Sequence, residues 1–200
     1  MPQQKSVYSF VVDGQCEYWY LQMLKDNERL QKIHIAPEFP IKESLKKQYN
    51  RVLDLAKNSE RVFWIVDFDA INKESKEAKK GKKTALQEFE ELHKKCKKNS
   101  RIIVIVNNPC LEYWFLLHYK QTPKYYNFYE PELKKDLKSV LSGYEKTERY
   151  FVKTVSDIYK RLKPKLSDAI CNANKLGEFD FRNTQTGISE MYKIFSDLKI

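Results

Sequence analysis

Short runs of β-branched and aromatic residues alternate with amphipathic stretches along the first 120 residues, and few folds accept that order. Val7–Val12, Lys32–Ala36, Val62–Val66 and Arg101–Val106 read as strands. Between them, Glu17–Leu24, Ser44–Lys57 and Thr84–Lys98 carry apolar residues at helical spacing. In the second of these, Leu45, Tyr49, Val52, Leu53 and Ala56 share one face. Strands that are apolar on both faces and separated by helices form a mostly parallel sheet covered by those helices. The expectation is an α/β fold with a mostly parallel four-stranded sheet flanked by helices. Pro37 and Pro40 stop the second strand, and Asn72–Lys83 reads as a lysine-rich connection. After an aromatic-rich connector at Tyr119–Tyr129, the spacing predicts helices over Pro131–Ser142, Thr147–Lys163, Pro164–Leu176 and Ser189–Leu198. Residues 1–120 are thus expected to form the core and 121–200 a helical C-terminal part packed on it as one compact unit.

Charge narrows the partners. The 200 residues hold 37 Lys and Arg against 27 Asp and Glu, a formal net charge of +10, which favours polyanions through long-range attraction and counterion release. Nucleic acid, DNA or RNA, is the expected partner. Cys16, Cys96, Cys110 and Cys171 form no CxxC or Cys/His cluster, which argues against zinc. The N-terminal residues show no apolar signal region, and no apolar run approaches the roughly 20 residues of a membrane span. A soluble, cytoplasmic protein without a membrane partner is expected. Walker A, GxGxxG and GxSxG motifs are absent from the sequence, so the corresponding nucleotide, dinucleotide and serine-hydrolase readings lose support.

The strand Val62–Val66 leads into Asp67-Phe68-Asp69. Residues i and i+2 of a strand point to one face, so both carboxylates are expected to project together from the carboxyl edge of the sheet, where open α/β folds place ligands. Two carboxylates so placed repel each other unless a cation lies between them, and Mg2+ or Mn2+ suits oxygen donors. Asp13 follows the first strand as these two follow another, which makes Asp13, Asp67 and Asp69 the candidate metal ligands. Glu17, four residues on, either complements the helix dipole or acts as an acid or base.

A second constellation is Asn107-Asn-Pro-Cys-Leu-Glu-Tyr-Trp-Phe-Leu-Leu-His118. Pro109 is expected in the first turn of a helix capped by Asn108, with Glu112 near the same sheet edge as a further catalytic candidate. His118 is six residues from Glu112, off its face, and reads as structural. Lys79, Lys80, Lys82 and Lys83 follow the aspartates closely enough to flank the opening and meet substrate phosphates. Lys153, Lys160, Arg161, Lys163 and Lys165 form a second basic face.

Three ordered motifs carry a resemblance. Val11-Val-Asp-Gly-Gln-Cys-Glu-Tyr-Trp-Tyr20, Phe63-Trp-Ile-Val-Asp-Phe-Asp69 and Asn108-Pro-Cys-Leu-Glu-Tyr-Trp-Phe-Leu-Leu-His-Tyr119 resemble the RloB family, whose fold is Toprim-like. Tyr144, Lys146, Ala169 and Ala173 also look similar. The resemblance implies a Toprim-like sheet with acidic residues that bind Mg2+ for phosphodiester chemistry. It further implies a nuclease of bacterial restriction and phage-defence loci, with a partner protein from such a locus possible. Asp67 and Asp69 would hold metal, and Asp13 would stand where the family has a glutamate, one methylene longer. Cys16 replaces the family's usual Thr. The rival expectation is a non-catalytic module that keeps the scaffold and binds nucleic acid or a protein.

Overall fold

The computed structural model describes residues 8–38 and 43–200. Val7, the expected start of the first strand, and Pro40, an expected stop of the second, lie outside them. Strand β1 (Tyr8–Val11) leads to α1 (Gln15–Asn27), β2 (Ile33–Ala36), α2 (Leu45–Ala56) and β3 (Arg61–Asp67). Then come α3 (Phe68–Lys76), α4 (Ala85–Cys96), β4 (Ile102–Asn108) and α5 (Leu111–Leu117). The C-terminal part holds a π-turn at Tyr129–Leu133, α6 (Lys134–Val140), α7 (Glu148–Phe151) and α8 (Ile158–Leu162). A 3-10 turn at Lys163–Lys165, α9 (Leu166–Leu176), β5 (Ile188–Ser189) and α10 (Tyr192–Leu198) complete it.

The sheet has five strands in the order β2-β1-β3-β4-β5. Strand β1 pairs in parallel with β2 and with β3, while β5 runs antiparallel to β4, with Asn107 opposite Ser189 and Asn108 opposite Ile188. This is the α/β architecture that the Toprim-like resemblance implies, with one strand more than the sequence suggests. Two residues are too few to show an alternation, so β5 reads from sequence as the start of a helix.

By their internal contacts the described residues group into two units, one lying within Met1–Ile65 and Ile71–Val104 and the other being Val66–Ala70 with Ile105–Ile200. In the first unit, Val62, Phe63, Trp64 and Ile65 of β3 are all buried, as expected of a strand covered on both faces. Phe10 stacks on Phe63 with ring centroids 4.9 Å apart. Ser44 caps α2 by accepting from the Lys47 amide, and Thr84 with Gln87 closes a capping box on α4, which fixes both starts where the sequence places them.

In the second unit every residue of α5 is buried, as a helix apolar all round requires. It packs against α6, α9 and β5. The expected Thr147–Lys163 helix is broken in two because it contains two N-caps. Thr147 Oγ1 accepts from Tyr150 N, and Asp157 Oδ1 accepts from Lys160 N at 2.9 Å. Asn72–Lys76, expected in a connection, instead completes α3. Among the described residues no helix is long and apolar enough to cross a membrane.

Candidate functional site

The second unit gathers most of the acidic candidates. Strand β3 ends at Asp67 and α3 begins at the next residue, so Asp69 stands in the first turn of a helix rather than on a strand. The i, i+2 alternation expected for the pair therefore stops at Asp67. Phe68 causes the change of direction: it is buried against Phe179, with centroids 4.7 Å apart. Asp69 N donates to Pro109 O at 3.0 Å, and both aspartates are half-buried. An acidic side chain in a first helical turn is favoured by the helix dipole.

Asn107 links Asp67 to the edge strand. Its Nδ2 lies 3.5 Å from Asp67 Oδ1, and its Oδ1 accepts from Ser189 Oγ at 2.6 Å. Asn108 is not a helix cap, as its position before Pro109 suggests. It ends β4, and its Nδ2 donates to Thr184 O and Thr186 O at 2.8 and 2.9 Å. Those bonds hold it to the segment before β5, and α5 starts after Cys110, whose side chain makes no cap. Pro109 accordingly precedes the helix instead of opening it.

Glu112, in the first turn of α5, is 1% exposed. Its Oε1 accepts from Tyr144 Oη at 2.7 Å and faces Lys146 Nζ at 2.9 Å, while Oε2 has no hydrogen-bond partner among the described residues. Lys146 also sits 4.1 Å above the Tyr129 ring, a cation–π arrangement. Burial works against the Lys146 ammonium, but negative charge, chiefly from Glu112 with Asp67 contributing, outweighs it and raises its pKa. The buried Cys110 thiol registers the same neighbourhood. Its pKa is pushed up first by burial and then by the charges of Glu112, Asp67 and Asp69, with Lys146 opposing. Asp67, Asp69, Glu112 and Lys146 thus share one electrostatic environment around Cys110.

Asp13 and Glu17 belong to the first unit. Asp13 Oδ1 accepts from Gln48 Nε2 at 2.7 Å, and Gln48 Oε1 accepts from Trp64 Nε1 at 2.9 Å. A buried amide therefore ties the acid to the core. Glu17 is itself buried, its carboxylate folded back over Gly14 so closely that a Cβ there has no room. Gly14 is needed for that approach.

The four lysines Lys79, Lys80, Lys82 and Lys83 are exposed, and Lys83 pairs with Glu91 at 2.6 Å. His118 is buried, with Nδ1 2.9 Å from Trp114 O. A carbonyl can only accept, so Nδ1 carries the proton. Nothing near Glu112 in sequence points to Tyr144 or Lys146, which approach it from more than 30 residues away. The only sequence signal for them is the family resemblance.

Mg2+ takes hard oxygen donors, and one or two carboxylates suffice when water and substrate phosphate complete its shell. Asp67 and Asp69 supply donors of that kind, and a buried carboxylate oxygen, Glu112 Oε2, has no hydrogen-bond partner among the described residues. Among the described residues no group of three or more His, Cys, Asp or Glu is arranged to hold one ion. The donor chemistry fits a two-carboxylate site completed by phosphate and water.

A family model described as RloB-like protein matches residues 8–198 of the chain. The chain belongs to the RloB family. The match takes in every candidate residue of this RloB chain, from Asp13 to Lys146. No curated protein and no solved structure matches it.

Proposed function

We propose that this RloB-family chain is a Mg2+-dependent nuclease that hydrolyses phosphodiester bonds in DNA or RNA, in the setting of bacterial phage defence. The observation that carries the reading is the shared environment of Asp67, Asp69, Glu112 and Lys146 at the ends of β3 and β4, in a chain of net charge +10. The defence role rests on the family resemblance. When bound, Mg2+ or Mn2+ would polarise the scissile phosphate and lower the pKa of an attacking water. Asp67 and Asp69 hold the ion in this reading. Asn107 fixes the Asp67 carboxylate from one side. A carboxylate of the site would manage protons. The exposed Lys79, Lys80, Lys82 and Lys83 draw the polyanion by charge.

The test is cleavage of labelled DNA and RNA with Mg2+ and with a chelator, comparing the wild type with Asp67→Asn and Asp69→Asn. Cleavage that needs the metal and falls at least about a hundredfold in either variant is the expected result, the scale set by loss of a metal or an electrostatic catalytic group. Cleavage that persists in chelator, or in both variants, removes the mechanism. The rival reading is a non-catalytic nucleic-acid or protein-binding module. That reading is met if binding survives both substitutions and no cleavage is found.

A further inference from the structure

We infer that Lys146 is a substrate-phosphate contact, held ready by the buried Glu112 and the Tyr129 ring; the inference rests on the nucleic-acid reading above. A phosphodiester that approaches Asp67 and Asp69 is opposed by like charge, so a fixed cation beside them is needed. Asp69 N donates to Pro109 O at 3.0 Å, three residues before Glu112, and Lys146 pairs with Glu112. Its Nζ is 2.9 Å from Glu112 Oε1 and 4.1 Å from the centre of the Tyr129 ring, and Asp67 is among the charges that act on it.

Its partners leave it free to bind. A lysine ammonium has three N–H donors, and Glu112 Oε1 takes one of them. The side chain is 40% exposed, whereas the Glu112 side chain is 1% exposed. Glu112 is the buried member of the pair and Lys146 the one whose side chain reaches solvent. A long flexible side chain normally loses rotamer freedom when it grips a ligand. Here much of that ordering is already done by Glu112 and Tyr129, which is how preorganisation raises affinity. Tyr144 Oη, 2.7 Å from the same Glu112 oxygen, fixes the carboxylate in turn. Glu112 is then a positioning residue that acts through Lys146, and its placement beside the aspartates does not require it to touch the reacting atoms.

The test reads binding, not turnover. Short fluorescent single-stranded DNA and RNA oligonucleotides are titrated in chelator over a range of salt concentrations. Lys146→Ala should make the slope of log affinity against log salt shallower by about 0.7, the value of one single-stranded phosphate contact. Lys146→Arg and Glu112→Gln keep the cation and should keep the wild-type slope. A purely structural ion pair would lower thermal stability in Lys146→Ala and leave the slope where it was, and that result overturns the inference. So does a wild type that binds neither oligonucleotide. Lys146→Ala strands a buried carboxylate, so if it unfolds, the double variant Lys146→Ala/Glu112→Gln takes its place with the same slope expected. Slope loss without any Mg2+-dependent cleavage keeps the contact and defeats the nuclease reading. Cleavage that depends on Asp67, with a slope indifferent to Lys146, does the reverse.

Discussion

Tyr144 Oη donates to Glu112 Oε1 across 2.7 Å, joining the loop after α6 to the first turn of α5. Both residues are buried, so the bond is a charge-assisted one away from water, and such bonds contribute more than neutral ones. Tyr144→Phe keeps the ring, with its edge-to-face neighbours Phe115 and Tyr150, and removes only the hydroxyl. It should lower unfolding free energy by about 1.5–3 kcal/mol, measured by urea titration at neutral pH. A loss within the ordinary scatter of surface substitutions would show that the hydroxyl contributes little.

Gln48 performs a similar linking task in the first unit. Its amide donates to Asp13 Oδ1 and to Glu43 O, and its Oε1 accepts from Trp64 Nε1. Gln48→Met keeps the length of the side chain and leaves the fully buried indole N–H without its acceptor. The expected cost is about 1–3 kcal/mol, the desolvation penalty of an unsatisfied buried group. Denaturation followed by the fluorescence of the chain's three tryptophans checks it. A Gln48→Met midpoint equal to the wild type would remove Gln48 from the set of core-linking residues.

Much of the fold was legible because burial leaves a local pattern. Val62–Val66 and Ile102–Val106 are apolar without a break, and both strands lie where those runs do. The helix starts at Ser44 and Thr84 were legible as well, because a cap is a local feature of the chain. The site was legible only in part. Asp67 could be read from its place at a strand end, but the turn at Phe68 depends on a distant pocket beside Phe179. That burial decides that Asp69 enters a helix. Likewise Asn108 looks like a cap until Thr184 and Thr186 are brought to it from 76 and 78 residues away. Lys146 and Gln48 have no local signature at all, because each matters through a partner that only the fold supplies.

Glu190, beside β5, gives a measure of how that edge is held. It is buried, and its Oε2 accepts from Val106 N at 2.9 Å, while its Oε1 accepts from Phe179 N and meets Lys193 Nζ at 2.8 Å. Three donors satisfy one carboxylate, which makes it a fastener between β4 and the residues around β5. Glu190→Ala leaves the Val106 and Phe179 amides without this acceptor, while Lys193 keeps Glu178 at 3.0 Å, and should cost about 1–3 kcal/mol, the desolvation penalty of buried donors left unsatisfied. Amide exchange at Val106 should quicken by more than it does at Phe115 in α5. Equal protection at both sites would contradict the fastening role.

His118 supplies a pH dependence whose sign can be worked out. Burial is the main influence on its ring and pushes the pKa down to about 4, against the opposing pull of the Trp114 and Phe115 backbone and of Asp168. The ordinary value is 6.5. Above that pH the ring is neutral in both folded and unfolded chains, and His118 adds no pH dependence. Between 6.5 and 4 the unfolded chain takes up a proton that the folded one refuses, so stability falls as pH falls. Below the folded value both forms are protonated and the loss levels off. The full effect is roughly 3 kcal/mol, at about 1.36 kcal/mol for each pKa unit. His118→Gln can still donate to Trp114 O and carries no titrating group. Urea-derived stabilities of wild type and variant should therefore converge toward acid pH relative to their difference at pH 8, the wild type losing its advantage between about pH 6.5 and 4. A gap that stays constant over that range would mean that His118 is not held neutral by the fold.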